Sequence, residues 1–204
     1  MPRRDYKIFG KNGYSHVFNR GNNRENIFLD KDDYEFFIFK LKQNIFPDKT
    51  AKRTKPLPAG SFSLPSYCVM PNHFHLLLRQ NNTYTAQQLL LRICTSYSKY
   101  FNKKYKRVGH VFQDRFKQVE INDEKQLLWL HAYINLNPVL DRITTKPENY
   151  QWSSYNEFFK SSDGLCDKRF LIEQLGDDQG IKKFMKDVLP VLKINKELRK
   201  FRFE

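Results

Sequence analysis

Two histidines spaced i and i+2 are the first chemistry the chain offers. In MPNHFHLLL, residues 70–78, His73 and His75 flank Phe74. On a strand, alternate residues share a face, so His73, His75 and Leu77 point one way and Phe74, Leu76 and Leu78 the other. The second set suits burial against helices. The first set holds two imidazoles about 6.6 Å apart along the strand. At that spacing both can reach one metal ion, and a rigid strand loses little entropy in ordering them. Two ordinary histidines on a half-exposed sheet face would look the same. A second stretch, KYFNKKYKR at 99–107, interleaves Lys99, Lys103, Lys104, Lys106 and Arg107 with Tyr100, Phe101 and Tyr105. Cations that neutralise phosphates, with rings on which bases stack, are how single strands are held. A solvated helix end with core aromatics has the same composition.

These residues need elements to position them. YSHVFNR at 14–20 reads as a strand, followed by turn chemistry at Gly21-Asn22-Asn23. Asp30 can cap a helix whose apolar face is Tyr34, Phe37, Ile38 and Leu41. Residues 47–60 hold Pro47, Pro56, Pro58 and Gly60 with Lys49, Lys52, Arg53 and Lys55, which predicts a basic loop. Strands are predicted at 62–69 and 73–79, joined tightly through Met70-Pro71-Asn72. Thr85 opens a helix to about Tyr105. A fourth strand is predicted over 110–118. Asn122 or Asp123 caps a last helix, and Asn137, standing before Pro138, is expected at or near its end. Residues 139–204 read as loops with two or three short helices. The order strand, helix, strand, strand, helix, strand matches the ferredoxin-like pattern, in which the first and third strands are central. The predicted class is α+β, an antiparallel sheet with helices plus a helical C-terminal extension.

Composition narrows the partners. The chain has 204 residues and a formal net charge of +14, from 36 Lys and Arg against 22 Asp and Glu. That excess favours a polyanion, and nucleic acid is the commonest one. No apolar run reaches the roughly 18 residues of a membrane span. Met1–Gly10 lacks the apolar core of a signal peptide. Cys68, Cys94 and Cys166 are odd in number and widely spaced, which predicts reduced thiols and a cytoplasmic protein.

Four blocks, in order, carry a resemblance: YSHVFNRGNNRENIF (14–28), YCVMPNHFHLLLR (67–79), SYSKYFNKKYKRVGHVFQDRFK (96–117) and AYINLNPV (132–139). Together they resemble the HUH single-tyrosine transposases, most closely the REP-associated branch. The name denotes His, a hydrophobic residue and His, which is His73-Phe74-His75 here. The resemblance spans residues 14 to about 155. It implies a catalytic domain over 1–155 and leaves 156–204 as a basic, helical extension. It implies that Tyr133 is the nucleophile and that Asn137, four residues on, is a third metal ligand. Related transposases have glutamine at that position. Asparagine is shorter, and Pro138 perturbs its backbone. Arg115, in FQDRFK, matches a family position and is expected near DNA or paired with Asp114.

The chemistry implied is transesterification at a DNA phosphodiester. A phenol is nearly neutral at pH 7 and needs help as a nucleophile. A metal on the scissile phosphate supplies Lewis-acid charge. Two neutral imidazoles and one amide carbonyl suit Mn²⁺ or Mg²⁺ and leave positions open. The implied product is a 5′-phosphotyrosine with a free 3′-hydroxyl, on single-stranded DNA beside hairpin-forming palindromes. A bacterial, nucleoid-associated protein is expected, a monomer whose tyrosine acts in its own subunit, with a dimer as the alternative. Three other functions fit parts of the pattern. An HUH replication initiator commonly has lysine where this chain has Asn137. A non-catalytic nucleic-acid-binding protein on the same scaffold would not use the histidines. A metallohydrolase would need a further carboxylate or histidine ligand.

Overall fold

The structure is a computed structural model that describes residues 12–47, 57–160 and 164–194. Lys49, Lys52, Arg53 and Lys55 of the expected basic loop, and Arg199, Lys200 and Arg202, lie outside the described residues. Strands β1 (Tyr14–Arg20), β2 (Phe62–Met70), β3 (His73–Gln80) and β4 (Lys117–Ile121) form one antiparallel sheet in the order β2-β3-β1-β4. Helix α1 (Lys31–Ile45) joins β1 to β2, α2 (Ala86–Lys104) joins β3 to β4, and α3 (Glu124–Leu140) follows β4. This is the expected α+β, ferredoxin-like arrangement, with β1 and β3 at the centre.

Local signals explain the element ends. Asp30 caps α1 by accepting from Asp33 N, while the Asp33 carboxylate accepts from Asp30 N. Thr85 and Gln88 form the same reciprocal box on α2. The β2–β3 turn is pinned from outside, because Ile27 N and Phe28 N both donate to the Pro71 carbonyl. Gly21 N donates to Asn72 O in the same corner. A Cβ on Gly21 would lie 2.3 Å from the Glu25 carbonyl oxygen, so no side chain fits there.

The sheet is buried on both faces. Val17, Leu64, Tyr67, Val69, Phe74, Leu76 and Leu78 meet α1 through Phe37 and Leu41, and α2 through Leu90, Ile93 and Tyr97. On the other face Cys68, Met70, Leu77 and Ile121 meet α3, and α3 is backed by helix α5 (Asp178–Ile194) with the short α4 (Arg169–Leu175) beside it. Because α3 lies between sheet and helix, it is apolar nearly all round. Residues 152–154 cover the outer edge of β2, through Val69 N to Trp152 O and Ser154 N to Tyr67 O. Among the described residues no helix is long and apolar enough to cross a membrane.

Two expectations are corrected. The fourth strand begins at Lys117, not at residue 110. Residues 110–116 instead form an irregular crossing, docked on the end of β1 by the Gly21–Phe112 bridge and by Gln113 N to Arg20 O. Asn137 lies near the end of α3, as expected, in the last turn of a helix that runs on to Leu140 with Pro138 inside it, and the Asn137 carbonyl accepts from Asp141 N. Burial of the surrounding turn outweighs the hydrogen bond that proline removes. The C-terminal helices are not all short, since α5 has 17 residues.

Candidate active site

The pairing register brings the chemistry together. β1 and β3 align Arg20 with His73, Phe18 with His75 and His16 with Leu77. Opposite residues of an antiparallel pair share a face, so His16, Phe18, Arg20, His73 and His75 all lie toward α3. The two rings of the H-x-H pair stand edge to face with centroids 4.9 Å apart. Tyr133 meets His75 edge to face at 5.7 Å. Asn137 lies one helical turn beyond Tyr133, on the same side of α3.

The histidine face is not half-exposed. His73 is 7% exposed, His75 1%, Tyr133 1% and Asn137 2%. α3 covers the pair, a placement that strand alternation cannot foresee. Burial, the largest cause, holds His73 down to about 4, with a smaller contribution from the Arg20 charge. Burial also holds His75 well below the usual imidazole range, with His73, His16 and Arg20 adding to the effect. Both rings are therefore neutral near pH 7, the form that binds a metal.

Hydrogen bonds leave one nitrogen of each ring uncommitted. His73 Nδ1 lies 2.6 Å from Asn72 Oδ1, and His75 Nδ1 lies 2.9 Å from His16 Nε2. His75 Nε2 and Asn137 Nδ2 are buried without a hydrogen-bond partner among the described residues. Which end of an amide is oxygen is assigned from its partners, so the Asn137 amide can turn its oxygen to a cation. Orphaned buried polar atoms cost about 1–3 kcal/mol each. A cation held by His73, His75 and Asn137 would remove that cost, so these residues fit a divalent metal. Among the described residues no group of three or more His, Cys, Asp or Glu could hold a metal.

The basic stretch divides. Lys99, Lys103 and Lys106 are exposed. Lys99 and Arg115 line one groove of about 750 Å³ with Asn102, His110 and Gln113, over a floor of Cys94 and Phe112. Lys104 is committed elsewhere: its Nζ contacts Asp30 at 2.6 Å and the fully buried Asp33 at 2.9 Å. The Tyr105 hydroxyl donates to Asp33 at 2.8 Å. Arg107 pairs with Glu25 at 3.1 Å. Lys104 and Tyr105 thus tie the end of α2 to the start of α1, and their expected contacts with DNA are not favoured by this geometry. Lys182, Lys183 and Lys186 lie on α5.

Two site residues escape a reading of the sequence, His16 and Arg20. Alternation in YSHVFNR puts both on one face, yet only the register of β1 on β3 sets them beside the histidines. A family model described as "Transposase IS200 like" matches residues 11–137, more than half of the chain. The solved structure of a REP-associated tyrosine transposase bound to a REP hairpin is similar at 16% identity and a TM-score of 0.56, over 82% of this chain and 94% of that one. A candidate transposase from Deinococcus radiodurans R1 is similar at 11% identity and a TM-score of 0.41, over 61% of this chain and 90% of that one. No curated protein matches the chain in sequence.

Proposed function

This chain belongs to the family of IS200-like transposases, and on that basis we propose that it cuts and rejoins single-stranded DNA through Tyr133. The observation that carries this reading is the meeting of Tyr133 with His75, centroids 5.7 Å apart, under a helix that also bears Asn137 one turn on. The phenol oxygen attacks the phosphorus, the bond to the 3′-oxygen breaks, and the phenolic proton ends on the released 3′-hydroxyl by way of solvent. A phosphotyrosine at the 5′ side keeps the bond energy. A 3′-hydroxyl can then attack it and restore the phenol.

His73, His75 and Asn137 would hold a divalent cation, Mg²⁺ or Mn²⁺. When bound there, it supplies Lewis-acid charge to the phosphate and favours in-line attack. The chain's own contribution is to keep both imidazoles neutral and aimed, and to exclude water beneath α3. The scissile phosphate is placed at the edge of Arg20 and His73, since Arg20 is half-buried and His73 is the more exposed of the two site histidines. Arg20 then neutralises part of its charge. Tyr133 and His75 meet within one chain, which supports attack by a tyrosine of the same subunit. The groove lined by Lys99 and Arg115 takes the adjoining strand. The REP hairpin bound to the neighbouring structure supports a hairpin-bearing single strand as substrate.

The test is incubation of labelled hairpin-bearing single-stranded DNA with Mn²⁺, followed by a denaturing gel. A covalent adduct is expected, lost in Tyr133→Phe while binding is kept, and lost with a chelator. Cutting by Tyr133→Phe at the normal rate would overturn the assignment. Binding without any adduct would leave a non-catalytic DNA-binding protein.

A further inference from the structure

The two site histidines are held by different partners, and those partners determine where each ring carries its proton. The Asn72 amide Nδ2 donates to the Arg24 carbonyl at 3.2 Å. That bond sets the amide's orientation, so the atom 2.6 Å from His73 Nδ1 is Oδ1. An amide oxygen only accepts, so His73 Nδ1 is the donor and Nε2 of the neutral ring keeps a lone pair. The carbonyl that turns the amide comes from a backbone in the left-handed region, with φ 51° at Asn23 and 60° at Arg24. This conformation is uncommon outside glycine.

His75 is gripped from the neighbouring strand. His16 is fully buried, its Nε2 is 2.9 Å from His75 Nδ1, and the rings stack at 5.1 Å. On the metal reading proposed above, His75 Nε2 gives its lone pair to the cation. Its Nδ1 must then carry the proton and donate to His16 Nε2. We propose that Asn72 and His16 are positioning residues that preset His73 and His75 as Nδ1–H tautomers, both Nε2 atoms presented to the cation before it arrives. Partners of this kind orient ligand rings and raise their basicity, and losing one typically costs 10- to 100-fold in metal affinity. This inference rests on the metal reading of the site.

Two measurements test it, and the first needs no variant. Long-range ¹H–¹⁵N spectra of the metal-free protein should show a protonated Nδ1 and a bare Nε2 at both His73 and His75. Mn²⁺ binding, followed by the electron paramagnetic resonance of the free ion, should be abolished by His73→Ala. His16→Phe should weaken it about 10- to 100-fold. His16→Gln, whose amide oxygen can take the place of Nε2 as acceptor, should recover most of the affinity. A wild-type protein that binds no Mn²⁺ sinks the metal reading together with this inference. Wild-type binding with His75 protonated at Nε2, or undiminished binding by His16→Phe, overturns the inference alone.

Discussion

Arg20 stands opposite His73 in the β1–β3 register, and its charge helps hold both site histidines neutral. No ion pair involves it among the described residues. On the proposed mechanism, a guanidinium in that position would neutralise charge that develops on the phosphate. Arg20→Ala should slow single-turnover cleavage by about 10²- to 10³-fold. The salt slope of binding should change only by about 0.7, the share of one phosphate. Arg20→Lys should recover part of the rate, since an ammonium keeps the charge but loses the planar fork. Equal losses of binding and cleavage would make Arg20 an ordinary backbone contact. Asn137→Ala should be milder than His73→Ala or His75→Ala in the same assay, because an amide oxygen is a weak ligand that water can replace.

The end of α2 presents cations with two different jobs. Lys104 faces Asp30 and Asp33, and the Asp33 side chain is entirely buried. It secures the N-terminus of α1, where Asp33 also accepts from Leu29 N at 2.8 Å. Removing the partner of a buried carboxylate costs about 3 kcal/mol. In a chain of this size that lowers the midpoint of thermal unfolding by about 6–12 °C. Lys104→Ala should therefore melt earlier while folded protein binds DNA almost unchanged. Lys99→Ala combined with Arg115→Ala should do the reverse, weakening DNA binding and flattening its salt dependence with little change in melting. Loss of DNA affinity by Lys104→Ala in a fully folded preparation would return that residue to the DNA surface.

Across the molecule, the second core joins the sheet to α3, α4 and α5, and it encloses a further neutral imidazole. His131 is fully buried, with its Nδ1 2.5 Å from Ser66 Oγ. Burial lowers it from the ordinary 6.5 to about 3, against a small opposing pull from Asp167. Between those values the unfolded chain takes up a proton that the folded protein refuses. The stability His131 contributes is thus full above about pH 6.5 and falls as the pH drops toward 3, by about 1.4 kcal/mol per pH unit. His131→Asn, which keeps a polar atom near Ser66, should reduce the pH slope of chelator-treated protein by that amount in urea unfolding between pH 4.5 and 6. An unchanged slope would place the acid sensitivity in other groups. The closed site also bears on substrate form. Tyr133, on α3, is 1% exposed where it faces the sheet, so on the proposed mechanism a flexible single strand should bring a phosphate to it more readily than a stacked duplex. The +14 charge predicts that duplex binds all the same. Duplex should remain uncut beside a cleaved hairpin-bearing strand, and the cleaved strand should have a 3′ end that a polymerase extends. Equal cutting of both would indicate an ordinary nuclease.

Most of the fold is legible in order and periodicity. Period-two alternation marks the strands, Asp30, Thr85 and Asp123 mark the helix starts, and the element sequence leads to a ferredoxin-like sheet with β3 at its centre. The H-x-H triplet points to the candidate metal pair, because local spacing on one strand is set by backbone geometry alone, and the ordered blocks around it point by resemblance to the candidate tyrosine. Contacts between distant segments are another matter. Nothing local to YSHVFNR sets which β3 residue each side chain faces, so His16 and Arg20 became site residues only through strand register. Nothing local to KYFNKKYKR distinguishes Lys104 from Lys99, and the carboxylates that separate them come from residues 30 and 33. Nor does the irregular 110–116 crossing follow from its sequence, since its backbone bonds go to the end of β1. That α3 seals the histidine face depends on α5 packing behind it, a long-range burial of apolar surface to which strand alternation is blind.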